Sequence, residues 1–130
     1  MNPATVDPAT VDPGAGVAGS DELPGDHPPV DAPAPPPGET LSAAGELLRA
    51  LAAPVRIAVV LQLRSSPRCV HELVDALGVT QPLISQHLRV LKAAGVVRGE
   101  RRGREVVYRL VDDHLAHIVV DAVEHAEEDA

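Results

Sequence analysis

Two short helical patterns lie three residues apart near the middle of the chain, and this spacing constrains the fold more than any other feature. The first pattern starts near Val70 and ends at Gly78, because glycine readily adopts the left-handed conformation that terminates a helix. The second follows Thr80, a residue suited to an N-cap, and has Pro82 in its first turn, where proline is tolerated. Two short helices joined by a tight turn containing glycine predict a helix-turn-helix.

The second helix of this unit has an apolar and a polar face. The apolar face is expected to contain Leu83, Ile84, Leu88 and Leu91. The polar face carries hydrogen-bonding side chains, namely Gln81, Ser85, Gln86, Arg89 and Lys92. A helix of this size fits the DNA major groove, which is about 12 Å wide. We therefore expect Gln81, Ser85, Gln86 and Arg89 to face bases and phosphates. For His87, both a DNA contact and packing against another helix are compatible with the pattern.

A hairpin pattern follows directly. Residues 96–100 and 105–110 are predicted as two strands, and Arg101, Arg102 and Arg104 lie between them at the tip. Charges at a hairpin tip can reach a DNA backbone, although they can also protect the edge of a sheet. Directly after a helix-turn-helix, such a hairpin is typical of a wing. We expect these three arginines to contact the DNA backbone.

Helical spacing predicts three more helices. The first begins at Leu41 and must break at Pro54, where the second begins and continues to about Arg64. The last covers residues 114–128. The chain has one Tyr and neither Phe nor Trp, so its core must consist of Leu, Val, Ile and Ala. The predicted fold is mainly α-helical with a β-hairpin wing, a winged helix-turn-helix.

Charge divides the chain into three parts. Residues 1–39 hold ten of the 13 prolines and seven acids but no Lys or Arg, which predicts a disordered acidic tail rich in Pro and Gly. Residues 40–110 hold all 11 bases and only five acids, a balance that suggests a polyanion-binding surface. Residues 111–130 hold seven acids and no base. We therefore expect a tail at 1–39 and one folded domain at 40–130.

Several classes of protein are disfavoured. One cysteine excludes an intramolecular disulfide, and the longest mostly apolar stretch, residues 55–63, is far short of the ~20 residues that span a bilayer. The N-terminus shows no basic region followed by an apolar run, so we expect a cytoplasmic chain without a membrane partner. A small metallohydrolase is the alternative from another class. The chain has no His-Glu-x-x-His, no Ser/His/Asp grouping and no glycine-rich phosphate loop, so we expect no enzyme.

The last predicted helix combines an apolar stripe with metal-ligating side chains beside it. The stripe consists of Leu115, Ile118, Val119, Ala122, Val123 and Ala126. His114 and His125 share one edge of the helix but lie about 16 Å apart along its axis. Two ligands of one zinc ion lie within about 4 Å of each other. One helix therefore cannot use both histidines for one ion.

An antiparallel pair of these helices can bring the two ends together. If the stripe pairs with its twofold mate, Asp112 and His114 of one subunit meet His125 and Glu128 of the other, giving two symmetric sites per dimer. Two imidazoles and two carboxylates suit tetrahedral Zn²⁺, and Co²⁺ or Ni²⁺ accept the same ligands. Acidic helix ends that contain histidine are also common on solvated surfaces. We treat the competing pair His117 and Asp121 as surface residues.

Three stretches of the chain together resemble the ArsR/SmtB family of dimeric winged-helix repressors, which sense metals or other stressors. The stretches are residues 51–57 (LAAPVRI), 72–78 and 85–97 (SQHLRVLKAAGVV), and the resemblance covers about residues 40–128. It is strongest to the mycobacterial zinc sensors of the family. The resemblance implies a symmetric homodimer through the first and last helices, bound to double-stranded operator DNA with an inverted repeat.

The resemblance also implies a metal response. In the zinc-sensing branch, the last helix carries Asp-x-His-x10-His-x2-Glu/His, and Asp112, His114, His125 and Glu128 have these spacings. The implied mechanism is an apo dimer that holds operator DNA and releases it when zinc bridges the C-terminal helices. Alternatively, the zinc sites are structural and a different metal or another effector controls release.

The other metal site of the family lies on the third helix and typically uses Cys-Val-Cys with ligands from the N-terminus. The corresponding stretch here is Cys69-Val70-His71, and the chain has no second cysteine. Arsenic or cadmium sensing through that site is therefore not expected. We expect Cys69 to be a packing residue and His71 to lie on the helix surface.

Overall fold

The computed structural model describes residues 31–128, so most of the predicted tail lies outside the described residues. Residues 31–37 have no regular secondary structure, and the residues from Pro36 onward belong to one compact unit. The elements of the described part are α1 Gly38–Leu51, α2 Pro54–Ser65, β1 Arg68–Cys69, α3 Val70–Leu77, α4 Gln81–Ala93, β2 Val97–Arg102, β3 Glu105–Leu110 and α5 Asp113–Glu128.

Helix α1 begins at Gly38, three residues before the predicted start, so the last two residues assigned to the tail are helical. The N–H of Leu41 donates to the carbonyl of Pro37 at 3.1 Å, and Glu39 places a negative charge near the positive end of the helix dipole. No side chain caps this helix start. The true boundary has neither an apolar residue nor a capping side chain, which is why the pattern placed it too late.

Helix α2 is the central helix of the subunit, as its nearly continuous apolar sequence predicts. Pro54 occupies its first turn, where a missing N–H leaves no hydrogen bond unmade. Val59 and Val60 are fully buried, and α2 packs against each of the other four helices. The core cluster of buried residues consists of Leu51, Val59, Val60, Leu63, Leu73, Ile84, Leu88, Leu91, Val96, Val97, Leu115 and Val119.

Helices α3 and α4 form the predicted helix-turn-helix. Gly78 ends α3 with φ 67°, and its N–H donates to the carbonyl of Val74 at 2.9 Å. Ile84 and Leu88 are buried as predicted, but Leu83 is 47% exposed and does not join the inner face. Leu83 instead shares a side of the helix with Val90, seven residues further on, which is also exposed.

Three antiparallel strands form a small sheet in the order β1-β3-β2. The hairpin of β2 and β3 closes at the pair of Arg102 and Glu105, with Gly103 at φ 62° in the turn. Strand β1 pairs Cys69 with Val107. Strand β1 was not among the predicted elements, because two residues carry no periodicity and only the partner strand defines them. The strand joins the start of α3 to the wing.

Helix α5 uses its apolar stripe in two ways. Leu115 and Val119 are buried in the subunit, where α5 packs against α2, and Val123 is half-buried. Ile118 is 36% exposed, and Ala122 lies on the same exposed side. Half of the stripe therefore completes the core of its own subunit, and the pairing of α5 with a twofold mate stays a prediction. No helix in the described part of the chain is long and apolar enough to cross a membrane.

Candidate nucleic-acid interface and metal centres

Helix α4 presents its predicted polar face outward. Gln81 is the first residue of the helix, and Gln81, Gln86 and Arg89 are exposed, while Ser85 is half-buried. These residues lie on successive turns of the same helix, so their amide, hydroxyl and guanidinium groups follow one side of α4. The arrangement fits entry of α4 into a major groove. The four individual contacts remain predictions.

His87 is half-buried and faces back toward α2. Its Nδ1 lies 3.1 Å from Nη1 of Arg56, and Nε of Arg56 donates to the carbonyl of Ala50 at 2.6 Å. An arginine has only donors, so Nδ1 must accept, which places the ring proton of a neutral His87 on Nε2. This contact supports the packing role for His87 through Nδ1. A DNA contact of the same residue stays a prediction.

The wing places its arginines differently from the prediction. Arg101 and Arg102 are the last residues of β2, not part of the turn, and Arg104 lies in the turn. Since successive side chains of a strand point to opposite faces, Arg101 and Arg102 cannot contact one phosphate surface from the same face. All three are exposed. The strand pairing extends to Arg102 because its partner Glu105 begins β3.

Glu100 pairs with two arginines of the wing, although it was not among the residues predicted to matter there. Its Oε1 lies 3.5 Å from Nη2 of Arg102 and 3.4 Å from Nη2 of Arg109. Alternation along β2 puts Glu100 and Arg102 on one face. Their spacing of two residues was therefore the sequence feature from which this ion pair could have been predicted. Exposed ion pairs contribute only about 0–1 kcal/mol. Glu100 therefore holds Arg102 only weakly.

The two ends of α5 carry the residues predicted to hold zinc. Asp112 directly precedes the helix, as predicted, and its Oδ1 lies 3.8 Å from Nδ1 of His114. Both side chains are exposed. His125 and Glu128 lie in the exposed last turn, about 16 Å away along the axis. The structure thus brings Asp112 and His114 together at the first end. Within one subunit, this pair stays apart from His125 and Glu128. The donor set fits zinc only if a second subunit supplies the other end.

A second group of possible ligands lies at the start of α3. Cys69, His71 and Glu105 each have a ligating atom within 4.8 Å of the others. Cys69 is buried, and this burial raises the pKa of its thiol. His71 is exposed on the helix surface, as predicted. No sequence pattern places Glu105 in this group, because only the pairing of β1 with β3 brings it near α3.

Comparison with known proteins identifies the family. Residues 53–98 match the family described as "Bacterial regulatory protein, arsR family". The chain is 72% identical over 117 residues to the HTH-type transcriptional repressor SmtB of Mycobacterium tuberculosis (strain CDC 1551 / Oshkosh), covering 85% of this chain and 87% of that protein. The chain belongs to the ArsR/SmtB family.

Other relatives of this ArsR/SmtB repressor agree with its fold. It is 44% identical over 80 residues to the HTH-type transcriptional regulator NmtR of M. tuberculosis (strain ATCC 25618 / H37Rv), covering 62% of this chain and 67% of NmtR. A homodimeric winged helix-turn-helix DNA-binding domain from Mycobacterium bovis matches with a TM-score of 0.64 and 25% identity, covering 70% of this chain and 84% of that one. The winged helix-turn-helix prediction is confirmed, and the chain is a DNA-binding transcriptional repressor rather than an enzyme.

Proposed function

We propose that this repressor is a zinc sensor. The apo homodimer binds an inverted-repeat operator in the cytoplasm and releases it when zinc binds at two sites between the C-terminal helices. The observation that carries the proposal is the position of Asp112 and His114 at one end of α5 and of His125 and Glu128 at the other. An antiparallel pair of α5 helices juxtaposes unlike ends, and each junction then offers two imidazoles and two carboxylates.

Exposed apolar side chains support a dimer through α1 and α5. On α1, Leu41 is 52% and Leu48 is 53% exposed, and the two are seven residues apart on one side of the helix. On α5, Ile118 lies between the two histidines and is also exposed. A second copy of the chain would cover these residues, and the related M. bovis domain is homodimeric. The proposed metal ligands therefore flank the proposed dimer contact.

The packing of the subunit suggests how the metal sites and DNA are coupled. When bound, zinc would supply a four-ligand link between subunits with no open position for water. Helix α5 packs against α2, and α2 packs against α4, so the placement of the two α5 helices sets the separation of the two α4 helices. In a dimeric helix-turn-helix protein, these helices enter major grooves about 34 Å apart. A link that changes this separation weakens DNA binding.

This coupling is reciprocal. If zinc weakens DNA binding, DNA must weaken zinc binding by the same factor, and a coupling free energy of about 1–3 kcal/mol corresponds to a factor of about 5–150. Protons oppose zinc as well, since His114 and His125 bind metal only as neutral imidazoles. A free dimer and a DNA-bound dimer with equal zinc affinity would contradict the proposal.

The direct test is fluorescence anisotropy of the apo protein on DNA from upstream of its own gene, titrated with Zn²⁺ at fixed salt. We expect release at two zinc ions per dimer and full reversal by a chelator. Parallel titrations with Co²⁺ and Ni²⁺ compare other ions that accept the same ligands. Tight binding that ignores all three ions contradicts a metal sensor. Unfolding or dissociation of the dimer on metal removal indicates structural zinc sites instead.

A further inference from the structure

We propose that Leu83 recognises a thymine of the operator through an apolar contact with the C5-methyl group of that base. Leu83 would thereby determine sequence specificity at one position of each half-site. The proposal rests on the entry of α4 into the major groove, and it does not depend on the proposed response to zinc.

Leu83 lies at the end of α4 that is expected to reach the bases. It is the third residue of the helix, and a recognition helix contacts base edges with its N-terminal residues. The side chain is 47% exposed. At about 100° per residue, Leu83 lies about 60° around the helix from Gln86, which is also exposed and one turn further on. Leu83 therefore borders the polar face from which base contacts are predicted.

The buried side of α4 does not explain why residue 83 is apolar. Ile84 is fully buried and Leu88 is 2% exposed, and these two lie about 100° and 140° around the helix from Leu83. In the described part of the chain, Leu83 belongs neither to the core cluster nor to the half-buried side chains packed against it. Its apolar surface is thus free to contact a partner outside the subunit.

The chemistry of the helix start selects the partner. Pro82 is exposed beside Leu83, and neither side chain has a hydrogen-bond donor or acceptor. The two form an apolar patch between Gln81 and Gln86, which carry the predicted hydrogen bonds to DNA. Among the base edges of the major groove, the C5-methyl group of thymine is the apolar feature that such side chains contact. A thymine is therefore the base that fits this patch.

A second copy of the chain is a poorer match for Leu83. The exposed apolar residues proposed for the dimer contact, such as Leu48 and Ile118, belong to α1 and α5. Val90 lies seven residues after Leu83 on the same side of α4, and it lines a cavity of about 590 Å³ together with residues of α1. Leu83 is not among the residues that line this cavity. Val90 thus provides a control at an exposed apolar position nearer to α1.

Replacement of thymine by deoxyuridine tests the contact, because uracil lacks the methyl group and keeps the hydrogen-bonding atoms of thymine. The probe is the inverted repeat that the metal-free protein protects upstream of its own gene, with each thymine position substituted in turn in both half-sites. We expect one position at which the substitution weakens binding about fourfold in one half-site and about fifteenfold in both. A factor of four corresponds to about 0.8 kcal/mol, the value of one buried methylene group. A scan in which no thymine position shows this loss overturns the proposal.

Variants at position 83 assign the methyl contact to its side chain. Leu83→Ala should weaken binding to the thymine operator about fivefold or more and should no longer distinguish thymine from deoxyuridine at that position. Leu83→Met keeps an apolar side chain of similar volume and should retain the preference. Val90→Ala should retain it in full. Since Leu83 is exposed, thermal unfolding should show that all three variants stay folded. A preference that persists in Leu83→Ala overturns the assignment to Leu83.

Salt separates the methyl contact from phosphate contacts. An apolar contact releases no counterions, so the ratio of the affinities for thymine and deoxyuridine operators should be the same at about 50 and about 200 mM salt. A ratio that falls toward one as the salt concentration rises would assign the effect to the DNA backbone and overturn the proposal.

Gln86→Ala distinguishes failure of this proposal from failure of groove entry by α4. Gln86 lies on the exposed face and should contribute to operator binding whether or not Leu83 contacts a methyl group. Weaker operator binding in Gln86→Ala without any preference for thymine overturns the role of Leu83 alone. Operator binding that is unchanged in both Gln86→Ala and Leu83→Ala overturns the placement of α4 in the groove as well.

Discussion

The guanidinium of Arg56 joins three helices, because it lies 3.1 Å from Nδ1 of His87 on α4 and donates to the carbonyl of Ala50 on α1. Arg56 itself belongs to the first turn of α2. Helix α4 is thereby fixed to α1, which the proposed dimer contact includes. Arg56 thus links the helix proposed to enter the major groove to the proposed dimer contact.

Arg56→Met should destabilise the protein by about 1–3 kcal/mol, because hydrogen bonds to a charged group are lost and the Ala50 carbonyl is left without its donor. Urea unfolding measures the change. Arg64→Met, at an exposed position of the same helix, is the control and should change stability by less than about 0.5 kcal/mol. Equal effects of the two substitutions would show that the contacts of Arg56 add nothing measurable.

Gly78→Ala should cost about 1–2 kcal/mol, because Gly78 has φ 67° and an added Cβ is strained in the left-handed region. A Cβ at this position meets no atom within 4 Å, so the cost comes from the backbone and not from a clash. Gly78→Asn should cost less, since asparagine tolerates this conformation better. Thermal unfolding of the three proteins gives the order, and a destabilised Asn variant equal to Ala would contradict the backbone explanation.

Local pattern predicted the helices well where the apolar positions face a core within the same subunit. Buried Ile84, Leu88 and Leu91 lie where helical spacing puts them. The apolar pattern did not predict elements that are defined by strand pairing. Strand β1 exists because Cys69 pairs with Val107, and nothing in its two residues signals a strand. The start of α1 at Gly38 follows from the proline before it rather than from any capping side chain.

The site residues show the same division. Asp112 and His114 are neighbours in sequence, and their proximity could be predicted from the helix start alone. The approach of His71 to Glu105 could not, since 34 residues separate them and only the register of β3 joins them. The division of the α5 stripe could not be predicted either, because Ile118 and Val119 are equally apolar and differ only in burial within the subunit.

Acid should selectively remove the contribution of Glu72 to stability. Its Oε1 accepts the N–H of Cys69 at 2.9 Å, and this hydrogen bond lowers the pKa of Glu72 below its usual 4.5. A lowered pKa in the folded state gives stability that is present above pH 4.5 and is lost as the pH falls through the lowered value. Wild type should therefore exceed Glu72→Gln in unfolding free energy at neutral pH, and the gap should close in acid.

Urea unfolding at neutral pH and near pH 3 measures this gap. Glu46→Gln, at an exposed position of α1, serves as the control and should change stability little at either pH. A gap between wild type and Glu72→Gln that stays constant across the range would mean that the charge of Glu72 does not strengthen its hydrogen bond from the Cys69 N–H.

Removal of Arg104 should reduce both DNA affinity and its salt dependence. Arg104 lies in the turn of the wing and is exposed, so a phosphate contact is the predicted interaction. A dimer loses two such contacts in Arg104→Ala, and the slope of log K against log salt should fall in magnitude by about 2. Anisotropy at several salt concentrations gives the slope. Arg64→Ala should keep it, and a lower affinity with an unchanged slope would exclude a phosphate contact for Arg104.

His125→Ala should separate DNA binding from its control by zinc. His125 lies in the last turn of α5 and belongs neither to α4 nor to the wing. Operator affinity without metal should therefore stay within about twofold of wild type. Loss of one of two imidazoles from each site should abolish release at stoichiometric zinc. His117→Ala removes an exposed histidine from the same helix and should release DNA as wild type does.

If His125→Ala also fails to bind the operator, the α5 residues hold the dimer together and the zinc sites are structural. If both variants still release DNA at stoichiometric zinc, the ligands lie elsewhere in the chain.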